Sequence, residues 1–356
     1  MNKSRYEFID IAKGIGIILV MMGHFFIYRS TVTQVIYSFH MPMFFFLSGI
    51  FISAPNADSL KDKAFWLYIW KKTKRLLAMY CLFLGIAVIS TAVFEHKIYP
   101  VKRVIKALFG YRLQTFHMGP IWFLMALYLA SIIIALLHLC RFYRLVTWKK
   151  YLLLGILAFI AYRFPGFLRR FDFSFIPLFV NVVPMALFFL LLGTFCKQPI
   201  INVPSVPVVH RIAFLIISAG ITMIVSLRHL DFIRMIKANY GRNLFLFMLT
   251  ATTGTIAVLF ASSLLANHLF GRMLAYVGQH TMFILGMHRI VSYYCTKIIY
   301  FVFKVKIAPA KSLTNGYALL WTVFILLILL GMDWCFLKLW HRCVSNNKEG
   351  TGLRIQ

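Results

Sequence analysis

Nine apolar runs dominate this chain, at 11–29, 36–54, 76–94, 119–139, 175–196, 212–227, 244–266, 281–303 and 316–337. Each is close to the roughly 17–25 residues that a helix needs to cross a hydrocarbon core. In lipid, every backbone N–H and C=O must be satisfied within the protein, which leaves helices or a closed barrel. Continuous runs of this length select helices. A tenth run, 148–162, is shorter, so the expected count is nine or ten. Composition agrees: 61% of residues are hydrophobic, mean hydropathy is +0.82, and 13% are charged. That charge is about half of the quarter usual in soluble domains. The expected fold class is an all-α, polytopic membrane bundle of about ten helices. Residues 1–345 form one integral membrane domain, and 346–356 form a short polar tail. The Arg163-Phe164-Pro165-Gly166 segment reads as a turn. The first run ends Phe26-Ile27-Tyr28-Arg29 without a small-residue cleavage site, so it is expected to be retained as a helix.

The chain carries 38 Lys and Arg against 9 Asp and Glu, a formal charge of +29. On a soluble protein this would suggest nucleic acid. Here the cations lie mostly between apolar runs, where they meet lipid headgroups, and no nucleic-acid partner is expected. A basic rim also raises the local concentration of an anionic substrate. With ten spans and the N-terminus inside, inner segments hold 19 Lys and Arg and outer ones 18, so the total does not orient the chain. The densest cluster, Lys71, Lys72, Lys74 and Arg75, precedes the third run and favours cytoplasmic placement of that segment and of both termini. Six cysteines, at 81, 140, 196, 295, 335 and 343, form no CxxC or zinc-like spacing, and neither a disulfide framework nor a metal site is expected.

Ionisable groups inside apolar helices are costly and mark candidate functional positions. Asp10, Lys13 and His24 occupy the first run. Lys13 and His24 are eleven residues apart, just over three turns, so they share a face about 16 Å apart along the axis. Asp10 lies one turn before Lys13 on approximately that face. Such a face should point into a cavity and not toward lipid. Lys13 can equally snorkel to headgroups, and His24 can equally be a structural histidine bonded across helices. An imidazole in a dry cleft also suits general-base work on a hydroxyl. His40 opens the second run, and Pro42 suits an early-turn position. The short connection between the first two runs brings His24 and His40 to the same, non-cytoplasmic side.

The Lys13-x10-His24 pair resembles the Arg/Lys-x10-His signature of the acyltransferase-3 family of integral membrane acyltransferases. Further segments resemble that family in order. They are His40-Met41-Pro42-Met43-Phe44-Phe45-Phe46-Leu47-Ser48-Gly49, Lys74-Arg75-Leu76-Leu77-Ala78-Met79-Tyr80, Gly119-Pro120-Ile121-Trp122-Phe123-Leu124 and Gly278-Gln279-His280-Thr281 through His288. Lys13 stands where many relatives have Arg, and Met79 where they have Pro. The branch resembling sugar O-acetylases and exopolysaccharide modifiers is nearest, through the second-run pattern and Val182-Val183-Pro184-Met185-Ala186-Leu187-Phe188-Phe189.

The resemblance implies O-acylation of a cell-surface or lipid-linked glycan, with cytoplasmic acyl-CoA (acetyl-CoA or succinyl-CoA) as co-substrate and no permanently bound cofactor. It implies a multi-pass protein of the cell (cytoplasmic) membrane, with membrane lipids and glycan-assembly proteins as partners. His24 and Lys13 take catalytic roles; Arg75, Lys72 and Lys71 take the coenzyme phosphates; Asp10, His40, Trp122 and His288 line the acceptor cavity. The alternative is a transporter or flippase for an anionic glycan or lipid intermediate, which repeated halves with broken helices would favour; none is visible.

Overall fold

The computed structural model describes residues 6–53, 55, 57–142, 146–170, 177–229, 231–304 and 315–350, the backbone alone at 169, 315, 336–337 and 339–350. The helices in chain order are α1 (Glu7–Phe25), α2 (Thr31–Ile50), α3 (Lys63–Lys72), α4 (Ala78–Glu95), α5 (Val101–Leu108), α6 (Trp122–Leu139) and α7 (Thr147–Arg169). They continue with α8 (Val183–Phe195), α9 (Lys197–Ile201), α10 (Val208–Arg228), α11 (Leu244–Leu265), α12 (Leu269–Gln279), α13 (Thr281–Phe303) and α14 (Asn315–Gly350). No strand occurs among the described residues, so the chain is an all-α polytopic bundle.

Among the described residues, eight helical rods are long and apolar enough to cross a membrane. Two further helices, α2 and α13, have 20 and 23 residues, comparable lengths, but carry more polar groups. Several of their polar residues face the bundle interior, where Thr33, Ser38, His40, His288 and Ser292 are buried. The rods at the rim, by contrast, expose large apolar side chains. On α10, Val209, Phe214, Ile216, Ile217 and Ile224 all face outward, as lipid-facing positions require.

Three sequence expectations are corrected. The 148–162 run is part of a full-length rod, Thr147–Arg169, and Arg163-Phe164-Pro165-Gly166 continues that helix instead of turning. A proline in a membrane helix is tolerated where neighbouring groups re-satisfy the freed carbonyl. Secondly, α2 begins at Thr31, so His40 and Pro42 lie in its interior and not at its opening. Ser30 sets that start, its hydroxyl accepting from the Thr33 amide at 3.3 Å. The polar first turn, Thr31-Val32-Thr33-Gln34, is invisible to a search for apolar runs. Thirdly, α1 starts at Glu7 and ends at Phe25, so Ile27–Arg29 lie beyond it and Asp10 lies in its first turn.

Small residues set the closest helix approaches. Gly14 of α1 faces the backbone at Leu274 and Gly278 of α12, and Gly278 in turn faces the Asp10 carbonyl. Gly49 of α2 and Gly193 of α8 meet the backbones at Leu190 and Phe46 in the same way. Lipid tails are as apolar as leucine, so close van der Waals packing of this kind replaces the hydrophobic effect as the glue. Interhelical hydrogen bonds add to it, each worth about 0.6 kcal/mol on average. The Ser226 hydroxyl donates to Ser38 at 2.9 Å and the Gln34 amide donates to the Ser226 carbonyl at 2.6 Å, tying α10 to α2. Trp321 of α14 donates to Ser292 of α13 at 2.9 Å.

Candidate active site

The last turn of α1, the first half of α2, the turn before α6, the 234–237 loop and the middle of α13 enclose a cavity of about 550 Å³. His24 reaches it from α1, Tyr37 and His40 from α2, Trp122 from α6 and Arg289 from α13, with Arg234 and Lys237 on the loop. Gly23 makes this possible on the α1 side. Without a side chain there, the Tyr37 ring lies against the helix and its hydroxyl donates to the Gly23 carbonyl at 3.1 Å.

The histidine rings are held by the helices that carry them. His40 Nδ1 contacts the Ile36 carbonyl at 2.7 Å, and His288 Nδ1 contacts the carbonyls of Ile284 and Leu285 at 2.9 and 3.1 Å. A carbonyl only accepts, so both Nδ1 atoms carry the proton, and each Nε2 is left as a lone-pair acceptor. The His288 ring is fully buried, its centroid 5.3 Å from that of His24. It stands behind His24 and does not itself reach the cavity wall.

Trp122 follows a 3₁₀ turn at Gly119–Ile121, where Pro120 pre-sets the backbone. Its ring packs on Phe45 and Phe179, with centroids at 6.2 and 6.3 Å, and one edge meets the cavity. Phe179 and the preceding Leu178 both have a left-handed backbone, φ 56°, unusual for such side chains. That conformation sets Phe179 between Trp122 and a second, larger cavity of about 1110 Å³. Arg234 and Lys237 line both cavities, which therefore share a wall.

The remaining sequence candidates lie elsewhere. Lys13 Nζ pairs with Asp10 at 3.1 Å and sits 5.0 Å from the centre of the Phe51 ring, at the other end of α1. Neither Lys13 nor Asp10 lines the His24 cavity. Lys71, Lys72 and Arg75 lie where α3 passes into α4 through a π-helical turn, Thr73–Leu77. Lys71 and Arg75 are exposed, and Lys72 packs over Tyr68 at 5.3 Å. No metal-binding group of His, Cys, Asp and Glu occurs among the described residues.

Arg289 is the residue that sequence reasoning passes over. It lies inside the 281–303 run, directly after His288, and an arginine within an apolar span is itself a functional signal. Tyr37 and Gln114 also line the cavity, and neither belongs to a quoted motif.

The polytopic helical bundle thus holds a cavity with the imidazoles of His24 and His40 in its wall. A family model described as an acyltransferase domain matches residues 6–339, and the chain belongs to that acyltransferase-3 family of membrane acyltransferases. Neither curated proteins nor solved structures gave a significant match.

Proposed function

We propose that the protein transfers an acetyl or succinyl group from cytoplasmic acyl-CoA to a hydroxyl of a cell-surface or lipid-linked glycan, in the cytoplasmic membrane with both termini inside. The observation that carries this reading is His24 in the wall of a polar cavity, backed by the buried His288 ring and faced by His40. In the transfer, His24 takes the proton of the acceptor hydroxyl as the oxygen attacks the thioester carbonyl carbon. A C–O bond forms and the C–S bond breaks. The leaving thiolate receives that proton, giving the ester and free coenzyme A. His40, whose Nε2 is an acceptor, and Trp122 hold the glycan. Lys13, fixed by Asp10 at the opposite end of α1, orients the donor. Lys71, Lys72 and Arg75 meet its phosphates, for which Lys and Arg are suited.

Bringing the donor thioester to the acceptor hydroxyl beside His24 contributes to the barrier reduction, out of about 7–11 kcal/mol available from orientation. The test is His24→Ala in purified protein, with membrane abundance as control. Acyl transfer from acyl-CoA should fall about 10²- to 10⁴-fold. Transfer at the wild-type rate would remove His24 from the mechanism. Mass spectrometry of the surface glycan should show the loss of one acyl substituent per modified residue, whereas loss of whole chains would indicate transport.

A further inference from the structure

The two adjoining cavities are unusually one-sided in charge. Five cations, Arg163, Arg170, Arg234, Lys237 and Arg289, line them. No Asp or Glu appears among the described lining residues of either. Arg289 is the deepest of the five, on a membrane helix and sharing the smaller cavity with His24. No carboxylate pairs with it among the described residues. Its guanidinium lies beside Gly119, with Nη1 3.5 Å from where a Cβ there would stand, an ordinary van der Waals distance. An uncompensated arginine inside a membrane bundle is expensive. It persists where a ligand supplies the missing charge, and a guanidinium fork matches carboxylate and phosphate oxygens.

Resting on the acyl-transfer reading above, we propose that the acceptor is an acidic saccharide, its carboxylate or phosphate held by Arg289 while a neighbouring hydroxyl meets His24. The larger cavity takes the adjoining sugar units, and Arg163, Arg170, Arg234 and Lys237 attract the polyanion to it. The separation of the two ends argues for acceptor and not donor: Lys71, Lys72 and Arg75 line neither cavity.

The experiment uses the full chain in phosphatidylcholine nanodiscs, which carry no competing anionic lipid. Binding is measured for pentagalacturonate, a phosphorylated maltopentaose, neutral maltopentaose and coenzyme A. At least one acidic probe should bind tenfold or more tighter than maltopentaose, and which one does so assigns carboxylate or phosphate. Arg289→Gln should weaken that probe about ten- to a hundredfold, the range for a lost charge-assisted hydrogen bond. Arg289→Lys should recover part of the loss. Lys102→Gln, on α5 and outside both cavities, should change nothing. Should Arg289→Gln fail to fold, the loop pair Arg234→Gln with Lys237→Gln carries the same comparison with a smaller loss. The proposal is overturned if neutral maltopentaose binds as tightly, if Lys102→Gln loses as much, or if coenzyme A alone is affected. His24→Ala should keep acidic-probe binding, so failure of the catalytic assignment and failure of the anion site are separable.

Discussion

At the scale of single residues, the site is organised by groups that the helices themselves restrain. His117 illustrates how charge and packing meet there. It lies between the 3₁₀ turns before α6 and stacks on Tyr293, with ring centroids 3.9 Å apart. Burial first, then the Arg289 cation, holds its imidazole below the ordinary value of 6.5, while Glu95 opposes the shift. Lys297, which pairs with Glu95 at 3.7 Å, also lowers it. The folded state therefore keeps this ring neutral where the unfolded chain would protonate it. As pH falls below about 6.5 the unfolded state gains the proton first, so stability falls, and above that value this group contributes no pH dependence. Thermal unfolding between pH 7.5 and 5 should show a larger loss for wild type than for His117→Phe, which preserves the stack. Parallel slopes would show that the charge on the ring plays no part. The residues quoted as motifs divide in the same physical way. His24, His40 and Trp122 stand out in the sequence as imidazole and indole among apolar neighbours, and the structure places all three in the wall of one cavity. Lys13 was legible as a charge in an apolar helix one turn from Asp10, but its distance from the cavity depends on three-dimensional packing. Arg289 was hidden by proximity to His288, since one polar interruption in an apolar run draws attention from the next.

At the scale of elements, the apolar runs found the helices because lipid imposes length as well as composition. They misjudged the ends wherever a helix continues through polar residues, as in α2 from Thr31, or through proline, as in α7. They also missed α12, an eleven-residue helix too short to register as a span. Its importance lies in its glycines, and these yield a prediction with a sign. A Cβ at Gly278 would meet the Asp10 carbonyl, and one at Gly14 the Leu274 carbonyl, closer than real side-chain carbons approach backbone. Gly278→Ala should therefore separate α12 from α1 and lower both the melting temperature and the yield of folded protein. Gly85→Ala is the contrast, because nothing lies within 4 Å of its added carbon. There the helix-propensity gain of about 1 kcal/mol should appear as equal or higher thermal stability. Equal effects at both positions would mean that the α1–α12 crossing yields freely.

At the scale of the whole molecule, the two adjoining cavities and the Lys71–Arg75 cluster involve different residues, and the proposed transfer would place them on opposite sides of the membrane. The proposed orientation puts Lys237 outside and Lys71 inside. Both side chains are exposed, so the assignment can be read chemically. In a background without the native cysteines, Lys237→Cys should react with a membrane-impermeant maleimide in intact cells, and Lys71→Cys only after permeabilisation. The reverse pattern would invert the topology and put acceptor and donor on exchanged sides.

The π-helical turn at Thr73–Leu77 has a consequence for how this protein can vary. Such a turn absorbs about one extra residue, equivalent to about 100° of rotation. In the 33-residue rod Lys63–Glu95 it brings two inward stripes into phase. Phe65 and Tyr68 lie below it, and Tyr80, Phe83, Leu84 and Ala87 above, all buried. Removing one residue from 73–77 would let the rod wind evenly as an α-helix with both stripes still in phase, whereas adding one between this turn and Tyr80 would swing the upper stripe by about 100° toward the lipid. With that added residue the Tyr80 hydroxyl would lose the Ala107 carbonyl, which it reaches at 2.9 Å. This segment should thus tolerate the loss of one residue, and a one-residue insertion between Ala78 and Tyr80 should cost more folded protein than a one-residue deletion within 73–77.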